Sequence, residues 1–226
     1  KKYVMPRRTG RIDPADVIEV SLEPEVEEYP VTIMLSHEGY LKKLTDRVLK
    51  TGAALKYKDG DKPFIEFPSS NTHELLVFTD KSQVYKCKVA SFEDTKSAQL
   101  GSYLPTDLEM DPDESVIWVI DPEDYKADVL FVFENGRVVR VALAGYVTKT
   151  NRKRLKNAIY GGSKLLFAQV LKEDRDLALI SNDGRLMNFN TSLLKTKTTT
   201  STQGVQAFTA KKNRIVTAVG AAEDFL

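Results

Sequence analysis

The sequence is poor in the residues that form reactive or metal-binding sites. It holds one cysteine, Cys87, and two histidines, His37 and His73, among 226 residues. One cysteine excludes an internal disulfide, and two histidines exclude a histidine-based metal cluster. Because Cys87 lies in an alternating segment, we expect it to be a small buried residue, in keeping with a reducing cytoplasm. We expect both histidines to be exposed or hydrogen-bonded.

Long apolar runs and catalytic motifs are missing as well. No apolar run approaches the ~20 residues that a membrane helix needs, and no nucleophile-elbow sequence is present. The acids between Asp107 and Glu114 lack the glycine and the terminal glutamate of a calcium loop, which favours a solvated loop before a buried strand. Gly161 and Gly162 precede no predicted helix, so they indicate a turn rather than a phosphate-binding loop.

A net charge of +1 conceals a strong charge asymmetry along the chain. Residues 12–30 contain seven acids and no lysine or arginine. Residues 31–136 hold 12 basic and 19 acidic side chains, net −7, whereas residues 137–214 hold 16 basic and 4 acidic ones, net +12. A cationic second half indicates a polyanionic partner. The acidic leader is a candidate competitor for the same basic surface.

Four segments of the sequence repeat one pattern, two apolar runs around a turn. Each pattern predicts a β-hairpin, with a tight turn that needs a positive φ angle. The segments are 31–44, 74–87, 128–141 and 176–189, and their turn positions are Gly39, Ser82, Gly136 and Gly184. Further apolar runs follow at 64–67, 116–120, 165–168 and 215–219 and predict closing strands. The period of roughly 43–54 residues is typical of propeller-like arrays of four-stranded blades.

The second strand of each predicted hairpin carries apolar residues on both faces. Such strands indicate sheets that pack on both sides, so the repeats must stack to be stable. A polar column at equivalent positions, Lys43, Lys86, Arg140 and Asn188, is predicted to lie at a rim. Residues 149–158 show no apolar stripe and are interpreted as an exposed loop. The alternation at 17–22 is regular enough to add an edge strand.

Several short segments of the repeats resemble those of a known family. They are Leu35 to Lys43, Thr72 to Thr79 followed by Gln83 to Lys88, Ser97 to Gly101 before Val116, and Thr202 to Val205. Together they resemble the C-terminal domain of bacterial type IIA topoisomerase A subunits, the gyrase A and topoisomerase IV A family. The resemblance covers residues 31–220. The segment Pro6 to Thr9 is similar to the chain that leads out of the breakage-reunion domain.

This resemblance implies an all-β fold, a β-pinwheel whose four-stranded blades exchange strands. We expect four to five blades in a closed or open ring over residues 28–226, and a linker over residues 1–27. The resemblance also implies a non-catalytic domain that binds and bends duplex DNA for an ATP-dependent enzyme of the bacterial cytoplasm and nucleoid. Its partners would be DNA, the linked breakage-reunion domain and the ATPase B subunit. The domain itself would need no cofactor, since ATP and magnesium are used elsewhere in the enzyme.

One departure from the family pattern separates its two branches. Gyrase A subunits carry an Arg-Arg-Gly-Gly-type box in the first blade. The corresponding connection here, Leu49 to Lys56, has neither the arginine pair nor the glycine pair. This favours the topoisomerase IV branch over the gyrase branch, with a divergent gyrase A as the alternative.

The basic connections of the second half are the predicted DNA-binding surface. Five basic residues lie in one connection and two in the next, and neither connection contains an acid. Phosphate neutralisation by such residues gives binding with little sequence preference, and a curved track offsets a bending cost of roughly 1–6 kcal/mol. The candidate residues are Lys43, Lys86, Arg137, Arg140, Lys149, Arg152, Lys153, Arg154, Lys156, Arg185, Lys195 and Lys197. Two alternatives stay open, a protein-interaction scaffold with no nucleic-acid role and a sugar- or ester-processing propeller enzyme.

Overall fold

The computed structural model of the chain describes residues 27–148, 152–208 and 215–221. These residues form a nearly all-β structure with four sheets, which confirms the predicted fold class. The strands are β1 (Pro30–Ser36), β2 (Tyr40–Thr45), β3 (Pro63–Ser70), β4 (Glu74–Thr79), β5 (Val84–Lys88), β6 (Ser102–Tyr103), β7 (Val116–Ile120), β8 (Asp128–Phe133), β9 (Arg137–Ala142), β10 (Arg154–Leu155), β11 (Leu165–Leu171), β12 (Asp176–Ser181), β13 (Leu186–Asn190), β14 (Val205–Gln206) and β15 (Val216–Ala221). Two short α-helices, α1 (Asp46–Lys50) and α2 (Leu104–Asp107), and three 3-10 turns lie between strands.

The four predicted hairpins are present as antiparallel pairs. They are β1 with β2, β4 with β5, β8 with β9, and β12 with β13. The turn positions predicted from the sequence are left-handed, with a φ of 87° at Gly39, 58° at Ser82, 77° at Gly136 and 76° at Gly184. Two of the loops have three residues and two have four, and each contains a single left-handed residue, which confirms the expected positive φ. A three-residue loop needs just one left-handed residue, and glycine adopts it without strain.

Each closing strand pairs antiparallel with the first strand of its own hairpin. The pairs are β3 with β1, β7 with β4, β11 with β8, and β15 with β12. All four ladders contain a register shift near the end of the first hairpin strand, which is typical of a β-bulge. The closing strands of neighbouring blades contact one another, β7 with β11 and β11 with β15. We therefore assign them to the centre of the ring.

The fourth strand of a blade comes from the following repeat. The sheet orders are β3-β1-β2-β6, β10-β5-β4-β7, β11-β8-β9-β14 and β13-β12-β15, here called the first, second, third and fourth blades. The two-residue strands β6, β10 and β14 each lie in the long connection of one repeat and pair with the outer edge of the blade before it. This is the strand exchange that the resemblance implied.

Three hydrophobic clusters join successive blades. Leu35 and Leu75 belong to the cluster between the first and second blades, and Phe78 and Phe131 to the cluster between the second and third. The third cluster, which includes Leu179, joins the third and fourth blades. Because each sheet buries residues from both faces, one repeat has no complete core of its own, as the sequence pattern predicted.

Three expectations from the sequence need correction or lie outside the described residues. The segment 149–158 is not simply an exposed loop, because Arg154–Leu155 form β10 and Ala158 is buried. Within the acidic run, Glu114 is buried rather than solvated, since it accepts hydrogen bonds from Tyr85 Oη at 2.7 Å and from Thr79 Oγ1. The predicted edge strand at 17–22 lies outside the described residues, as does nearly all of the linker predicted over residues 1–27.

Candidate nucleic-acid interface

The outer edges of the blades differ sharply in charge. The connection at the edge of the first blade, residues 89–115, contains seven acids and one lysine. The described part of the connection at the edge of the second blade, residues 143–148 and 152–164, contains five basic residues and no acid. The described part of the connection at the edge of the third blade, residues 191–208, contains two basic residues and no acid. Strand exchange thus gives the second and third blades cationic outer edges.

Several predicted cations in these connections are free to meet a ligand. Arg152, Lys153 and Lys156 are exposed around β10, and Lys195 is exposed in the next connection. Lys197 is half-buried because its backbone lies along β9, where its N–H donates to Arg140 O at 2.9 Å. We call these five residues the outer basic edge. Lys149 lies outside the described residues.

Arg154, in the middle of the basic connection, is held by the second blade. Its guanidinium hydrogen-bonds the Asp111 carboxylate and Gln83 Oε1, and it stacks 5.5 Å from the centroid of the Tyr85 ring. The hydrogen bond and the charge of Asp111 raise the pKa of Arg154. Such contacts fix β10 against β5, so the guanidinium serves as an anchor for the exchanged strand.

The polar column predicted that Lys43 lies at an exposed rim, and this prediction was wrong. Its side chain is 5% exposed, and Nζ lies 2.9 Å from Asp94 Oδ1 and 3.1 Å from Phe92 O. Burial disfavours its charge, but hydrogen bonds with Asp94 and Tyr29 raise the pKa of Lys43 above its usual value. Lys43 therefore binds the following connection to the first blade.

Lys86 and Arg140 occupy the equivalent position in the next two blades and are also paired. Lys86 Nζ lies 3.0 Å from Glu74 Oε2. Arg140 donates to Asp128 Oδ2 at 2.6 Å through Nε and to Thr191 O at 3.2 Å through Nη1. Since Thr191 begins the next connection, Arg140 repeats the anchoring contact of Lys43. The three basic members of the column thus form internal ion pairs rather than a free cationic rim, and only its fourth member, Asn188, is exposed.

Two further candidates lie beside hairpin turns. Arg137 is half-buried, with its guanidinium 5.9 Å from the centroid of the Tyr160 ring. Arg185 is exposed in the fourth blade, and its Nε lies 3.4 Å from Asp183 Oδ2. Neither residue belongs to the connections that carry the outer basic edge.

The residues considered for other chemistry have structural surroundings. Burial raises the pKa of Cys87 to about 12, so its thiol is a poor nucleophile. His73 Nδ1 lies 2.7 Å from Asp121 Oδ2, and His37 is exposed, which confirms the expectation that each histidine is exposed or hydrogen-bonded. Within the described ranges, no group of three or more His, Cys, Asp or Glu side chains is arranged to hold a metal ion. The described helices include none long and apolar enough to cross a membrane.

Comparison with known proteins identifies the relatives of this chain. No protein-family model matches the sequence. The A subunit of DNA topoisomerase 4 from Bacillus subtilis is 28% identical over 159 residues, covering 69% of this chain and 20% of that protein. The corresponding protein from Staphylococcus aureus is 25% identical over 202 residues, covering 86% and 25%.

The homologues of this chain are A subunits of DNA topoisomerase 4. The chain spans 20–25% of the length of these curated relatives. Among solved structures, a C-terminal domain of DNA topoisomerase IV superimposes with a TM-score of 0.71 at 22% identity, covering 87% of this chain and 62% of that one. The C-terminal domain of E. coli ParC gives a TM-score of 0.62 at 17% identity, covering 84% and 78%. The C-terminal domain of DNA gyrase A gives 0.57 at 17% identity, covering 87% and 66%. These likenesses confirm the fold predicted from the topoisomerase resemblance.

Sequence reasoning missed the carboxylates that neutralise the basic column. Glu74 and Asp128 begin the first strand of the second and third hairpins, and they pair with Lys86 and Arg140 in the second strand. The signal was present, because an acid stands at the same position of both repeats. A long side chain on an adjacent strand reaches a diagonal neighbour on the same face.

Proposed function

We propose that this chain is the duplex DNA-binding and DNA-bending domain of a type IIA topoisomerase, within its A chain. The observation that carries the proposal is the pair of acid-free basic connections at the outer edges of the second and third blades. Its relatives, A subunits of DNA topoisomerase 4, support the same interpretation. The domain itself is non-catalytic and needs no bound metal or nucleotide for this role.

The binding surface is the outer basic edge, Arg152, Lys153, Lys156, Lys195 and Lys197. Each of these cations neutralises a phosphate and releases counterions, which gives affinity without base recognition. Hydroxyl groups between Thr196 and Thr202 add hydrogen bonds to phosphate oxygens. Lys43, Lys86, Arg140 and Arg154 serve this surface indirectly, since their internal ion pairs hold the connections in place.

The curvature of the edge follows from the ring. The second and third blades share a hydrophobic cluster, so their outer edges are neighbours that face different directions. A duplex that contacts both edges must bend, and the added phosphate contacts offset a bending cost of roughly 1–6 kcal/mol. The acidic edge of the first blade repels phosphate and ends the track on that side.

In the whole protein, we place the domain beside a breakage-reunion domain and an ATPase B subunit, in the bacterial cytoplasm. It would present bent DNA to the ATP-dependent strand-passage machinery. The connection Leu49 to Lys56 lacks the gyrase box, which favours a topoisomerase IV-like enzyme over a gyrase.

A salt titration of duplex binding tests the proposal. With the five cations of the outer basic edge engaged, log Kd should change with log salt by a slope of about 4 to 5, equally for unrelated sequences. A duplex labelled at both ends should show a shorter end-to-end distance on binding, and chelation of metal ions should have no effect. Binding that is absent or insensitive to salt would instead favour the protein-interaction scaffold.

A further inference from the structure

The first repeat uses its long connection differently from the later repeats. In the second, third and fourth repeats, the connection crosses to the preceding blade and adds β6, β10 or β14 to its outer edge. The connection of the first repeat, residues 46–62, is described throughout and contributes no strand to any of the four sheets. It begins with α1 and ends beside the first hairpin turn, where His37 N–H donates to Lys62 O at 3.0 Å. This connection therefore returns to its own blade.

One face of each later blade packs on the blade before it. In the second and third blades, four positions of this face hold buried residues of the cluster shared with the preceding blade. They are Leu75, Val77, Tyr85 and Cys87 in the second blade, and Val129, Phe131, Val139 and Val141 in the third. We call this side of a sheet the blade-packing face.

The blade-packing face of the first blade is partly polar and yet covered. The odd-numbered residues of β1, from Val31 to Leu35, belong to the cluster with the second blade, so Thr32 and Met34 lie on the opposite face. Their cross-strand partners are Leu44 and Lys42. Met34, Lys42 and Leu44 are 6%, 1% and 0% exposed. A segment other than a blade must therefore cover this face.

The connection of the first repeat supplies the cover. Tyr57 Oη donates to Met34 Sδ at 2.7 Å, and the Tyr57 ring centroid lies 5.4 Å from Lys42 Nζ. Helix α1 contacts both β1 and β2. Lys42 Nζ also donates to Gln99 O, so its ammonium group is bound within the protein. Burial lowers the pKa of Lys42, as expected where the cover excludes water.

We propose that residues 46–62 form an end cap, a lid that occupies the blade-packing face of the first blade and prevents a further blade from packing there. Tyr57 replaces the apolar side chains that a preceding blade would supply. An apolar blade in its place would leave the ammonium group of Lys42 buried without the aromatic ring, at a cost in free energy. Repeat arrays need such a terminal unit with a polar outer face. The end cap does not depend on the proposed DNA function.

Acylation of Lys42 measures whether the end cap is closed in solution. The full 226-residue chain is treated with acetic anhydride, and the modified lysines are quantified by mass spectrometry. We expect Lys42 to react roughly ten-fold or more slowly than the exposed Lys50, and we expect Tyr57→Ala to remove this protection. The matched control is Tyr103→Ala, which removes a 41% exposed tyrosine from the same blade and should leave Lys42 protected. Equal rates for Lys42 and Lys50 in the parent chain, or unchanged protection in Tyr57→Ala, would overturn the proposal.

A second experiment tests whether the end cap blocks blade packing. Thr32→Leu and Lys42→Val together give the first blade an apolar blade-packing face. One chain carries these changes with the end cap intact, and another carries them with residues 51–58 replaced by a glycine-serine segment of the same length. Sedimentation velocity should match the parent for the capped chain and show added self-association for the uncapped chain, whose face is open to a second copy.

The two chains must differ for the proposal to stand. Equal sedimentation of the capped and uncapped chains, or association of the capped chain beyond that of the parent, would contradict a blocking role. The Phe131 amide signal, from the core of the third blade, shows by NMR that both chains are folded. The acylation experiment needs only a point variant, so it decides the proposal if the uncapped chain does not fold.

Discussion

Arg152 and Arg154 carry the same charge two residues apart, but their surroundings give them different tasks. The side chain of Arg152 is exposed, whereas that of Arg154 is engaged with Asp111, Gln83 and Tyr85. An exposed cation gains most of its binding energy from an incoming phosphate, while a cation that already has a carboxylate must first give it up. Counting charge in the sequence does not distinguish the two.

The contact between Arg154 and Asp111 predicts a pH dependence for the attachment of β10. The hydrogen bond from Arg154 lowers the pKa of Asp111 below its ordinary 3.8. A carboxyl group with a lowered folded pKa contributes stability above pH 3.8 and loses it as the pH falls through the lowered value. We therefore expect β10 to loosen below pH 3.8, and the Lys86 amide, which donates to Lys153 O, reports it by NMR.

The variant Asp111→Asn is the control for this titration. It keeps the size of the side chain and removes its titration, so the acid-induced shift of the Lys86 amide should disappear. An unchanged acid-induced shift in Asp111→Asn would assign the transition to another carboxyl group.

At the scale of the elements, the exchanged strands are short and depend on close approach rather than on a long ladder. β14 pairs through two residues, Val205 with Val138 and Gln206 with Arg137. The left-handed Gly204 brings the connection against Val138 O before the strand begins. The strand is therefore sensitive to a single methyl group at this glycine.

Replacing Gly204 with alanine should destabilise the chain more than the same change at Gly52. Both glycines are left-handed, with φ angles of 66° and 61°. A Cβ at Gly52 meets nothing within 4 Å, whereas a Cβ at Gly204 overlaps Val138 O. We expect a loss of about 1 kcal/mol for Gly52→Ala from φ strain and roughly 3 kcal/mol for Gly204→Ala, measured by urea unfolding. Equal losses would show that the carbonyl contact adds nothing.

The hairpins and closing strands could be predicted from the sequence because their signals are local. Turn residues and alternating apolar positions of a hairpin lie close together along the chain, and all four hairpins formed where expected. The partners of β6, β10 and β14 could not be found this way. A two-residue strand is too short to show a periodic pattern. Its pairing partners lie 61 to 71 positions away in the sequence: Ser102 pairs with Leu41, and Leu155 pairs with Val84. The resemblance, and not the residues, implied that exchange.

The exposure of the candidate site residues was predicted in part. The clustering of basic residues and the absence of acids in the two connections are visible in the sequence. Among the predicted residues, Arg152, Lys153, Lys156 and Lys195 are exposed, as a binding surface requires. The burial of Lys43 could not be seen, because the Asp94 that neutralises it belongs to a different repeat. Ion pairs between distant segments depend on the tertiary fold.

At the scale of the whole molecule, strand exchange determines which blade edge carries the charge of each connection. Each connection belongs in sequence to one repeat but lies on the edge of the preceding blade. The acidic connection thus begins on the first blade and reaches the second through Asp111 and Glu114, and the two basic connections lie on the second and third blades. The sequence asymmetry between residues 31–136 and 137–214 becomes an outer edge that is negative at one end and positive beyond it.

The most direct test of this account is duplex affinity after removal of three cations from the outer basic edge. The test variant is Arg152→Ala, Lys153→Ala and Lys156→Ala combined, and Arg154 is kept because it anchors β10. The matched control is Lys50→Ala, Lys56→Ala and Lys62→Ala combined, which removes the same charge from exposed positions in the first repeat. The account predicts a loss of affinity of at least ten-fold for the test variant on every duplex sequence, a salt slope lower by about 3, and little change for the control. Equal losses in the two variants, or unchanged affinity in the test variant, would contradict it.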